Sequence, residues 1–274
     1  MTVFIPRSLQ EATDLIAEHP DAHLLTGGTD LMVEVNFNHR RPEKVISLGK
    51  IEELRQVTIN ADHVIIGAAV PYAQMEKGEL GESLPALAEA ARTVGSPQIR
   101  AAGSLGGNLG TCSPAGDSLP VLSATNSLVH LTSAGGTRMV PFSEFMTGPK
   151  RNSRQPHEII TAVTVPRSSG WQGYAKVGTR NAMVISVASA CVVFHDDELR
   201  IALGSVGPTI IRCTDTENWY QSLASKNRTG VSLEIGSRAS QESRPIDDHR
   251  STADYRRHAI KVLAQRLFER GMSK

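Results

Sequence analysis

A glycine-rich stretch from residue 103 to residue 117, GSLGGNLGTCSPAGD, constrains this chain more than any other feature. Closely spaced glycines with small polar residues predict a loop, and helices are predicted on both sides of it. Ser83 is the expected cap of the first helix, which stops at Gly95, and Asp117 is the expected cap of the second. Glycines let backbone N–H groups approach an anion closely. The stretch therefore predicts either a loop that wraps a pyrophosphate or a long structural turn.

Another glycine segment, Gly27-Gly28-Thr29-Asp30, precedes this stretch in the chain and is called the first glycine segment below. It directly follows a predicted strand at 22–26 and precedes a predicted helix that begins near Leu31. A helix that starts after a strand offers a natural anion site. Neither glycine segment matches the P-loop pattern, GxxxxGK followed by Ser or Thr. Neither has glycines at positions i, i+2 and i+5, as a dinucleotide-binding fingerprint requires. A phosphate-binding function would therefore need a different fold.

The composition argues against several classes of function. With 29 Lys and Arg against 28 Asp and Glu, the net charge of +1 gives no sign of a nucleic-acid partner or an anionic membrane. No apolar run approaches the roughly 20 residues of a membrane span, and the N-terminus does not resemble a signal peptide. Cys112, Cys191 and Cys213 form no CxxC pair, so neither a disulfide framework nor an iron–sulfur cluster is predicted. We expect a cytoplasmic protein with no metal site of its own.

The remaining N-terminal pattern predicts both helices and strands. The run Ser8-Leu9-Gln10-Glu11 is a capping box that begins an N-terminal helix. Hydrophobic periodicity predicts the further elements of this part of the chain. They are strands at 44–48, 57–59, 63–67, 127–132, 137–141 and 158–166, and helices at 71–75, 85–94 and 119–124.

The pattern changes after residues 167–170, which we interpret as a domain boundary. The elements predicted beyond it are strands at 174–178, 186–194 and 199–206, a short helix at 215–223, a loose polar segment at 225–245 and a final helix at 254–270. The final helix is basic and amphipathic, and its arginines are expected either to face solvent or to contact another subunit. We expect this C-terminal part to serve mainly for assembly rather than for cofactor binding.

The two glycine segments, taken together, resemble the FAD-binding medium subunit of the molybdenum hydroxylases, the enzymes of the xanthine dehydrogenase and carbon monoxide dehydrogenase type. The similarity rests on LLTGGTDLM at 24–32, GSLGGN at 103–108 and the downstream Asp117. It continues through the strand at 158–166, KVGTRNA at 176–182 and DDHRSTADYR at 247–256. Either glycine segment alone is weak evidence, whereas both in this order and at this separation are specific.

The resemblance implies a fold of two α+β subdomains of the vanillyl-alcohol-oxidase type, with an extended FAD held between them. A C-terminal domain of a three-stranded antiparallel sheet with helices completes that fold. On this basis we expect a first FAD-binding subdomain at 1–55, a second at 56–167 and a C-terminal flavoprotein domain at 168–274.

The resemblance also implies a role for individual residues. Leu24 to Asp30 would wrap the FAD diphosphate through backbone amides. The other side of the diphosphate and the ribityl region would be held by Ser104, Gly107 and Asn108. Asp117 would accept hydrogen bonds from the adenosine ribose, although a helix N-cap is equally expected there. Ile160 would lie near the isoalloxazine ring and Lys176 near its polar edge, although Lys176 reads equally well as a surface lysine of a strand. Val94 stands where some relatives place an aromatic ring against the flavin.

The cofactor-binding residues predicted in this way belong to the two glycine segments, to the strand that leads into the first of them and to two later positions. They are Leu24, Leu25, Thr26, Gly27, Gly28, Thr29, Asp30, Gly103, Ser104, Gly107, Asn108, Thr111, Asp117, Ile160 and Lys176. No catalytic acid or base is predicted, because placement of the flavin would be the protein's contribution.

The function implied by the resemblance is electron transfer through a non-covalently bound FAD. A large subunit with a molybdenum cofactor would hydroxylate the substrate, and a small subunit with 2Fe-2S clusters would relay electrons to the FAD. The FAD would pass them to NAD, oxygen or a quinone. This chain has too few cysteines for the clusters and no molybdenum site, so those centres are expected on partner subunits only.

Two alternative functions are compatible with the same residues. The first is a standalone FAD-dependent oxidoreductase that acts directly on a small molecule. The second is a cofactor-free scaffold that keeps the fold as an interaction module. The intact polar positions in both glycine segments argue against the scaffold.

Overall fold

The computed structural model describes all 274 residues and contains three main β-sheets, of three, five and four strands, with a further two-stranded ribbon. The three sheets follow one another along the chain. Each lies against one of three hydrophobic clusters, of 9, 32 and 16 buried residues respectively. Helices cover the sheets, and none of them is long and apolar enough to cross a membrane.

The first sheet is parallel, with β3 between β1 and β2. Its elements in chain order are β1 (Thr2–Phe4), α1 (Leu9–Glu18), β2 (His23–Leu25), α2 (Leu31–Asn36) and β3 (Lys44–Ser47). Helix α1 begins as predicted, because the Ser8 hydroxyl accepts a hydrogen bond from Glu11 N at 3.2 Å. The Glu11 carboxylate in turn accepts from Arg7 N at 2.7 Å. Ala12 and Ile16 turn the buried face of α1 toward the sheet.

The second sheet is antiparallel, and β10 lies at its centre. Its strands in spatial order are β4 (Val57–Ile59), β5 (His63–Gly67), β10 (Ile159–Pro166), β6 (Leu128–Ser133) and β7 (Gly136–Pro141). Both predicted hairpins are present, as β4–β5 and β6–β7. The pairing of β10 with β6 shifts register between Ile160 and Ala162, which is the signature of a β-bulge.

Short helices and a ribbon pack around the second sheet. They are α3 (Tyr72–Met75), α4 (Gly78–Ser83), α5 (Pro85–Arg92), α6 (Pro97–Ala102), α7 (Leu105–Thr111), α8 (Leu119–Ala124), α9 (Phe142–Phe145), β8 (Met146–Gly148) and β9 (Arg151–Asn152). Helix α5 begins at Pro85 after Leu84, so the predicted cap at Ser83 is wrong. A proline at the first helical position needs no N–H partner there.

The main glycine stretch is not a loop, as the sequence predicted, because residues 105–111 form helix α7. The Ser104 hydroxyl caps this helix by accepting a hydrogen bond from Gly107 N at 3.2 Å. Leu105 and Leu109, one turn apart, are fully buried in the central core. Each glycine costs a helix about 1 kcal/mol relative to alanine, so burial of these two leucines decides the conformation.

The predicted helix start at Asp117 is also wrong. Helix α8 begins at Leu119, after Ser118. The Asp117 side chain does not cap it but bonds to side chains of the C-terminal sheet, as described below.

The C-terminal sheet is antiparallel and has three long strands, as predicted, with a two-residue strand added at one edge. The elements of this part are β11 (Gln172–Val177), β12 (Ala188–His195), β13 (Glu198–Gly204), β14 (Ile211–Arg212), α10 (Thr214–Ser222), α11 (Ser232–Glu242) and α12 (Ala253–Met272). The segment 225–245, predicted to be loose, contains helix α11. This helix packs closely on α12, since a Cβ at Gly236 would lie 2.4 Å from the Lys261 carbonyl oxygen.

Strand β12 joins the C-terminal sheet to the rest of the protein. Ala190 and Val192 face the C-terminal helices. Cys191 and Val193, on the opposite face of the strand, belong to the central core. Because successive side chains point to opposite faces, one strand contributes to two cores. All three cysteines are buried and free.

Candidate cofactor site

A cleft of about 750 Å³ lies between the first sheet, helix α7 and a loop of the C-terminal part. This volume falls within the roughly 300–1,000 Å³ usual for small-molecule sites. Every residue predicted to bind the cofactor lines the cleft except Lys176. Segments 75 residues apart in sequence are thus brought to one site, which the sequence could propose only through resemblance.

The glycines of the cleft have two different roles. A Cβ at Gly27 would lie 1.8 Å from the Ala102 carbonyl oxygen, and one at Gly106 would lie 2.7 Å from the Ala68 carbonyl oxygen. Gly27 and Gly106 therefore permit close backbone packing. A Cβ at Gly107 would meet only the Ser104 hydroxyl, at 3.3 Å, and one at Gly110 would meet nothing within 4 Å. The space in front of these two residues belongs to the cleft rather than to the protein core.

The two glycine segments contact each other directly. The Thr111 hydroxyl donates a hydrogen bond to Asp30 Oδ2 at 3.0 Å. A Cβ at Gly103 would lie 3.2 Å from the Thr29 hydroxyl, and Gly103 O accepts from Tyr72 N at 3.1 Å. These contacts hold the first sheet against α7 and form one continuous wall.

Asp117 and Lys176 form a buried ion pair at one end of the cleft. Lys176 Nζ lies 2.6 Å from Asp117 Oδ2, and the Tyr174 hydroxyl donates to Asp117 Oδ1 at 2.9 Å. Lys176 also donates to the carbonyl oxygens of Thr93 and Val184. Its side chain is only 7% exposed, so the alternative of a surface lysine is wrong.

The electrostatics of this pair reflect its burial. Loss of water raises the pKa of Asp117, and the neighbouring Lys176 ammonium opposes that shift. Asn108, also on the cleft wall, accepts a hydrogen bond from Ser118 at 2.6 Å. The polar groups of this wall are therefore held in fixed positions by protein partners.

Ile160 and Val94 supply apolar surface to the cleft. Ile160 is next to the bulge in β10, and it is 7% exposed. Val94 lies in the cleft wall after helix α5, where no aromatic ring replaces it. The tyrosine that lines the cleft is Tyr72 of α3, whose pKa is raised by burial.

Several lining residues were not predicted as site residues. They are His23, Arg40, Tyr72, Lys150, Arg154 and the hydrophobic run Met183-Val184-Ile185. His23 directly precedes the predicted Leu24, and a cofactor-facing role for Arg40 is an alternative that the sequence leaves open. The run at 183–185 comes from the C-terminal part, so that part contributes to the cleft and does not serve assembly alone.

Two features of the cleft offer polar groups to a ligand. His23 Nδ1 is buried without a hydrogen-bond partner. Burial, followed by the nearby Arg40, lowers the pKa of His23. Arg40 and Lys150 both contact the Glu34 carboxylate, at 3.0 Å and 2.9 Å, so two cations share one counter-charge at the mouth of the cleft.

Comparison with protein families decides what kind of site this is. The family model described as the FAD binding domain in molybdopterin dehydrogenase matches residues 1–168, and that of the CO dehydrogenase flavoprotein C-terminal domain matches residues 174–270. This chain belongs to the FAD-binding chains of the molybdopterin dehydrogenases. The family predicted from the sequence is therefore confirmed.

Individual relatives agree with this assignment. The nicotinate dehydrogenase FAD-subunit of Eubacterium barkeri is 35% identical over 203 residues, which cover 71% of this chain and 69% of that protein. The putative xanthine dehydrogenase FAD-binding subunit of Escherichia coli is 29% identical over 277 residues, which cover 97% of this chain and 94% of that protein. Carbon monoxide dehydrogenase from Hydrogenophaga pseudoflava superposes with a TM-score of 0.92 at 27% identity, over 100% of this chain and 97% of that one.

This FAD-binding chain is thus an oxidoreductase subunit of the molybdenum hydroxylase family, and its fold class is the predicted one. The cleft fits the cofactor. Gly107 and Gly110 leave the backbone of α7 open, and Arg40 and Lys150 provide positive charge for a diphosphate. The orphaned His23 Nδ1 offers a further polar contact.

Proposed function

We propose that the cleft holds FAD non-covalently, between the two glycine segments, through the fourteen predicted residues that line it. The observation that carries this proposal is the pair Gly107 and Gly110, whose missing side chains leave open space on the cleft side of α7. Bound FAD supplies the ability to accept and release electrons. The protein supplies binding and orientation.

Each part of the wall has a role in that binding. The backbone of residues 24–30 and of α7 flanks the diphosphate, and Arg40 and Lys150 offset its charge. Ile160 contacts the apolar part of the isoalloxazine ring, and Asp117 accepts from the ribose. Lys176 acts from behind Asp117, since it bonds to that carboxylate and does not line the cleft.

Covalent attachment is not expected at the nearest cysteine. Burial raises the pKa of Cys112 to about 12, so its thiol stays protonated at neutral pH. Its side chain is fully buried in the central core. Acid precipitation should therefore release the flavin into the supernatant, and flavin that stays in the pellet would refute non-covalent binding.

We further propose that the chain works with two partner subunits, one with a molybdenum cofactor and one with 2Fe-2S clusters. Electrons would pass from the clusters to the FAD and then to NAD, oxygen or a quinone. This is supported by relatives that are themselves named as subunits, such as the nicotinate dehydrogenase FAD-subunit. It is also supported by the burial and wide separation of the three cysteines, which cannot bind a cluster together.

The proposed division into domains at 1–55, 56–167 and 168–274 is supported by the three hydrophobic clusters, each of which takes most of its residues from one of these ranges. A cytoplasmic location is supported by three free cysteines, which a reducing compartment preserves. Cell fractionation of the native host tests the location, and limited proteolysis tests the boundary at 167/168.

One purification tests the proposed function as a whole. The chain is purified from its native host, and its flavin spectrum, iron content and molybdenum content are measured. We expect one FAD per chain together with iron and molybdenum from the partner subunits. A yellow protein that reduces its flavin with a small molecule, without either metal, would favour the standalone oxidoreductase. A colourless protein would favour the scaffold.

A further inference from the structure

Arg100 of helix α6 holds the turn that follows helix α5. Its Nη1 donates to Val94 O at 3.3 Å and to Gly95 O at 3.1 Å. Val94 and Gly95 line the cleft, whereas Arg100 does not. The carbonyl oxygen of the preceding residue, Thr93, accepts from Lys176 Nζ at 2.9 Å. Three consecutive carbonyl oxygens of one turn are therefore held by two cationic side chains.

The chemistry of the guanidinium explains why an arginine suits this place. Residues 93–95 follow the last residue of α5, so their carbonyl oxygens have no partner within that helix. A guanidinium presents its donors in a rigid fork and can bond to two carbonyl oxygens and a carboxylate at once. Arg100 does so, because its Nε also donates to Glu76 Oε1 at 2.5 Å. With its side chain only 17% exposed, Arg100 fixes the turn in one position.

The turn and α6 also pack directly on each other. Gly95 has a φ of +46°, which side chains rarely adopt. A Cβ at Gly95 would lie 2.7 Å from Ile99 Cγ2, so Ile99 packs on the backbone of the turn. Ile99 and Val94 both line the cleft. A shift of the turn would therefore move the apolar wall that these two residues form.

This wall belongs to the most apolar end of the cleft. Lys176 donates to Thr93 O and to Val184 O, so the turn lies close to the hydrophobic run at 183–185. Two members of that run, Met183 and Ile185, line the cleft and are 54% and 60% exposed. Aliphatic side chains suit a planar, largely apolar ring better than a charged diphosphate. The isoalloxazine ring is the largest group of that kind in FAD.

We propose that Arg100 is a positioning residue of the FAD site, which fixes the turn at 93–95 so that Val94 packs against the isoalloxazine ring. This inference rests on the proposed function. Arg100 does not touch the cofactor and acts only through the turn. Loss of its donors to the two carbonyl oxygens would free the turn and leave that face of the ring open to water. The diphosphate, flanked by residues 24–30 and α7, would keep its contacts.

A matched pair of variants separates this role from that of a merely structural ion pair. Arg100→Met removes the ion pair together with the donors to Val94 O and Gly95 O. Glu76→Gln is the control, because it removes the charge of the same ion pair and leaves both bonds to the carbonyl oxygens. Arg100→Lys takes the place of Arg100→Met if that variant does not fold, since it keeps a cation but not the fork of donors.

The test uses the full chain, from which the flavin is removed by dialysis against potassium bromide. Each protein is titrated with FAD and, separately, with ADP, which carries the diphosphate and the adenosine but no flavin ring. Calorimetry gives the two dissociation constants. The visible absorbance and the fluorescence of bound flavin report on the surroundings of the ring, and denaturant unfolding gives the stability.

We expect the Arg100 variant to bind FAD about tenfold more weakly than the unaltered chain and to bind ADP equally well. Flavin bound to that variant should fluoresce more strongly, because its ring is less covered. Glu76→Gln should lose stability, yet it should bind both ligands with the affinity of the unaltered chain and leave the flavin spectrum unchanged.

Three results would overturn the inference. The first is unchanged FAD affinity and spectrum in the Arg100 variant. The second is equal weakening of FAD and ADP, because Arg100 would then support the fold as a whole. The third is a flavin change in Glu76→Gln as large as that in the Arg100 variant, because the ion pair alone would then explain it.

The unaltered chain separates this inference from the function on which it rests. An unaltered chain that binds no FAD would refute the proposed function and this inference together. FAD binding that survives equally in the unaltered chain and in the Arg100 variant would refute the inference alone.

Discussion

Lys176 and Asp117 form a buried ion pair, with Nζ 2.6 Å from Oδ2, that joins the C-terminal sheet to the wall of the cofactor cleft. The same ammonium donates to Thr93 O at 2.9 Å and to Val184 O at 3.1 Å. Asp117 and Val184 line the cleft, but Lys176 does not. Lys176 lies outside the cleft and thus holds the segments around Thr93, Asp117 and Val184 together.

Replacement of this lysine should weaken the fold and the site together. Lys176→Met should lower the free energy of unfolding by about 3–5 kcal/mol, because Asp117 is left buried without its counter-charge. Denaturant unfolding measures the loss, and FAD content should fall with it. Asp117→Asn added to Lys176→Met should recover part of the stability, since the unpaired charge is then gone. Equal stability of the single and double variants would contradict this explanation.

Valine at Gly107 and valine at Gly106, two adjacent positions of α7, should have different effects: the first on FAD binding and the second on folding. Gly107→Val should fold normally and lose FAD, because its side chain would enter the cleft while meeting only the Ser104 hydroxyl. Gly106→Val should disturb the fold itself, because its Cβ would lie 2.7 Å from the Ala68 carbonyl oxygen. Circular dichroism and flavin absorbance distinguish the two effects. A folded Gly107→Val protein with full flavin would rule out the proposed diphosphate wall.

Asp248 should make stability depend on pH. Burial alone would raise its pKa, but hydrogen bonds from Arg250 and then Arg256 outweigh that effect and lower it. Arg256 is 2% exposed and also donates to the carbonyl oxygens of Val187 and Ser205. Arg256, which the sequence placed on a basic face of the last helix, therefore holds the C-terminal part together from inside.

Because the pKa of Asp248 is lower in the folded state, its contribution is complete above its unfolded pKa of about 3.9 and is lost as the pH falls through the folded value. Asp248→Asn should therefore cost about 3–5 kcal/mol at pH 7, where Arg256 loses its counter-charge. The difference from the unaltered protein should shrink below about pH 4. Urea unfolding at pH 7 and pH 3 measures it, and an equal difference at both values would exclude Asp248 as the titrating group.

Glu89 should contribute more to the stability of the fold than Arg270, the arginine that it contacts. Its carboxylate accepts from Arg270 at 2.7 Å and from Tyr174 N at 2.7 Å. Arg270→Ala removes a half-exposed ion pair and should cost at most about 1 kcal/mol. Glu89→Ala leaves the Tyr174 N–H without a partner and should cost about 1–3 kcal/mol. Thermal unfolding of the two variants compares them, and a larger effect of Arg270→Ala would reverse the expected order.

The sequence determined the local structure wherever short-range chemistry is sufficient. Ser8 and Glu11 define the start of α1, and alternating hydrophobic residues define the hairpins β4–β5 and β6–β7. The two glycine segments identified the family, because their order and spacing are specific. The residues predicted to bind the cofactor line the cleft, except Lys176, since the resemblance carried information about distant parts of the chain that periodicity does not contain.

Tertiary structure decided what depends on contacts far apart in the chain. Residues 105–111 form helix α7 instead of the predicted loop because Leu105 and Leu109 are buried. The polar segment predicted to be loose contains helix α11, because Gly236 packs on Lys261 of α12. Asp117 left its predicted cap position because Lys176, 59 residues later, lies 2.6 Å away. Local propensities amount to about 1 kcal/mol per residue or less, whereas burial of a leucine or pairing of a buried charge is worth more, so such contacts override them.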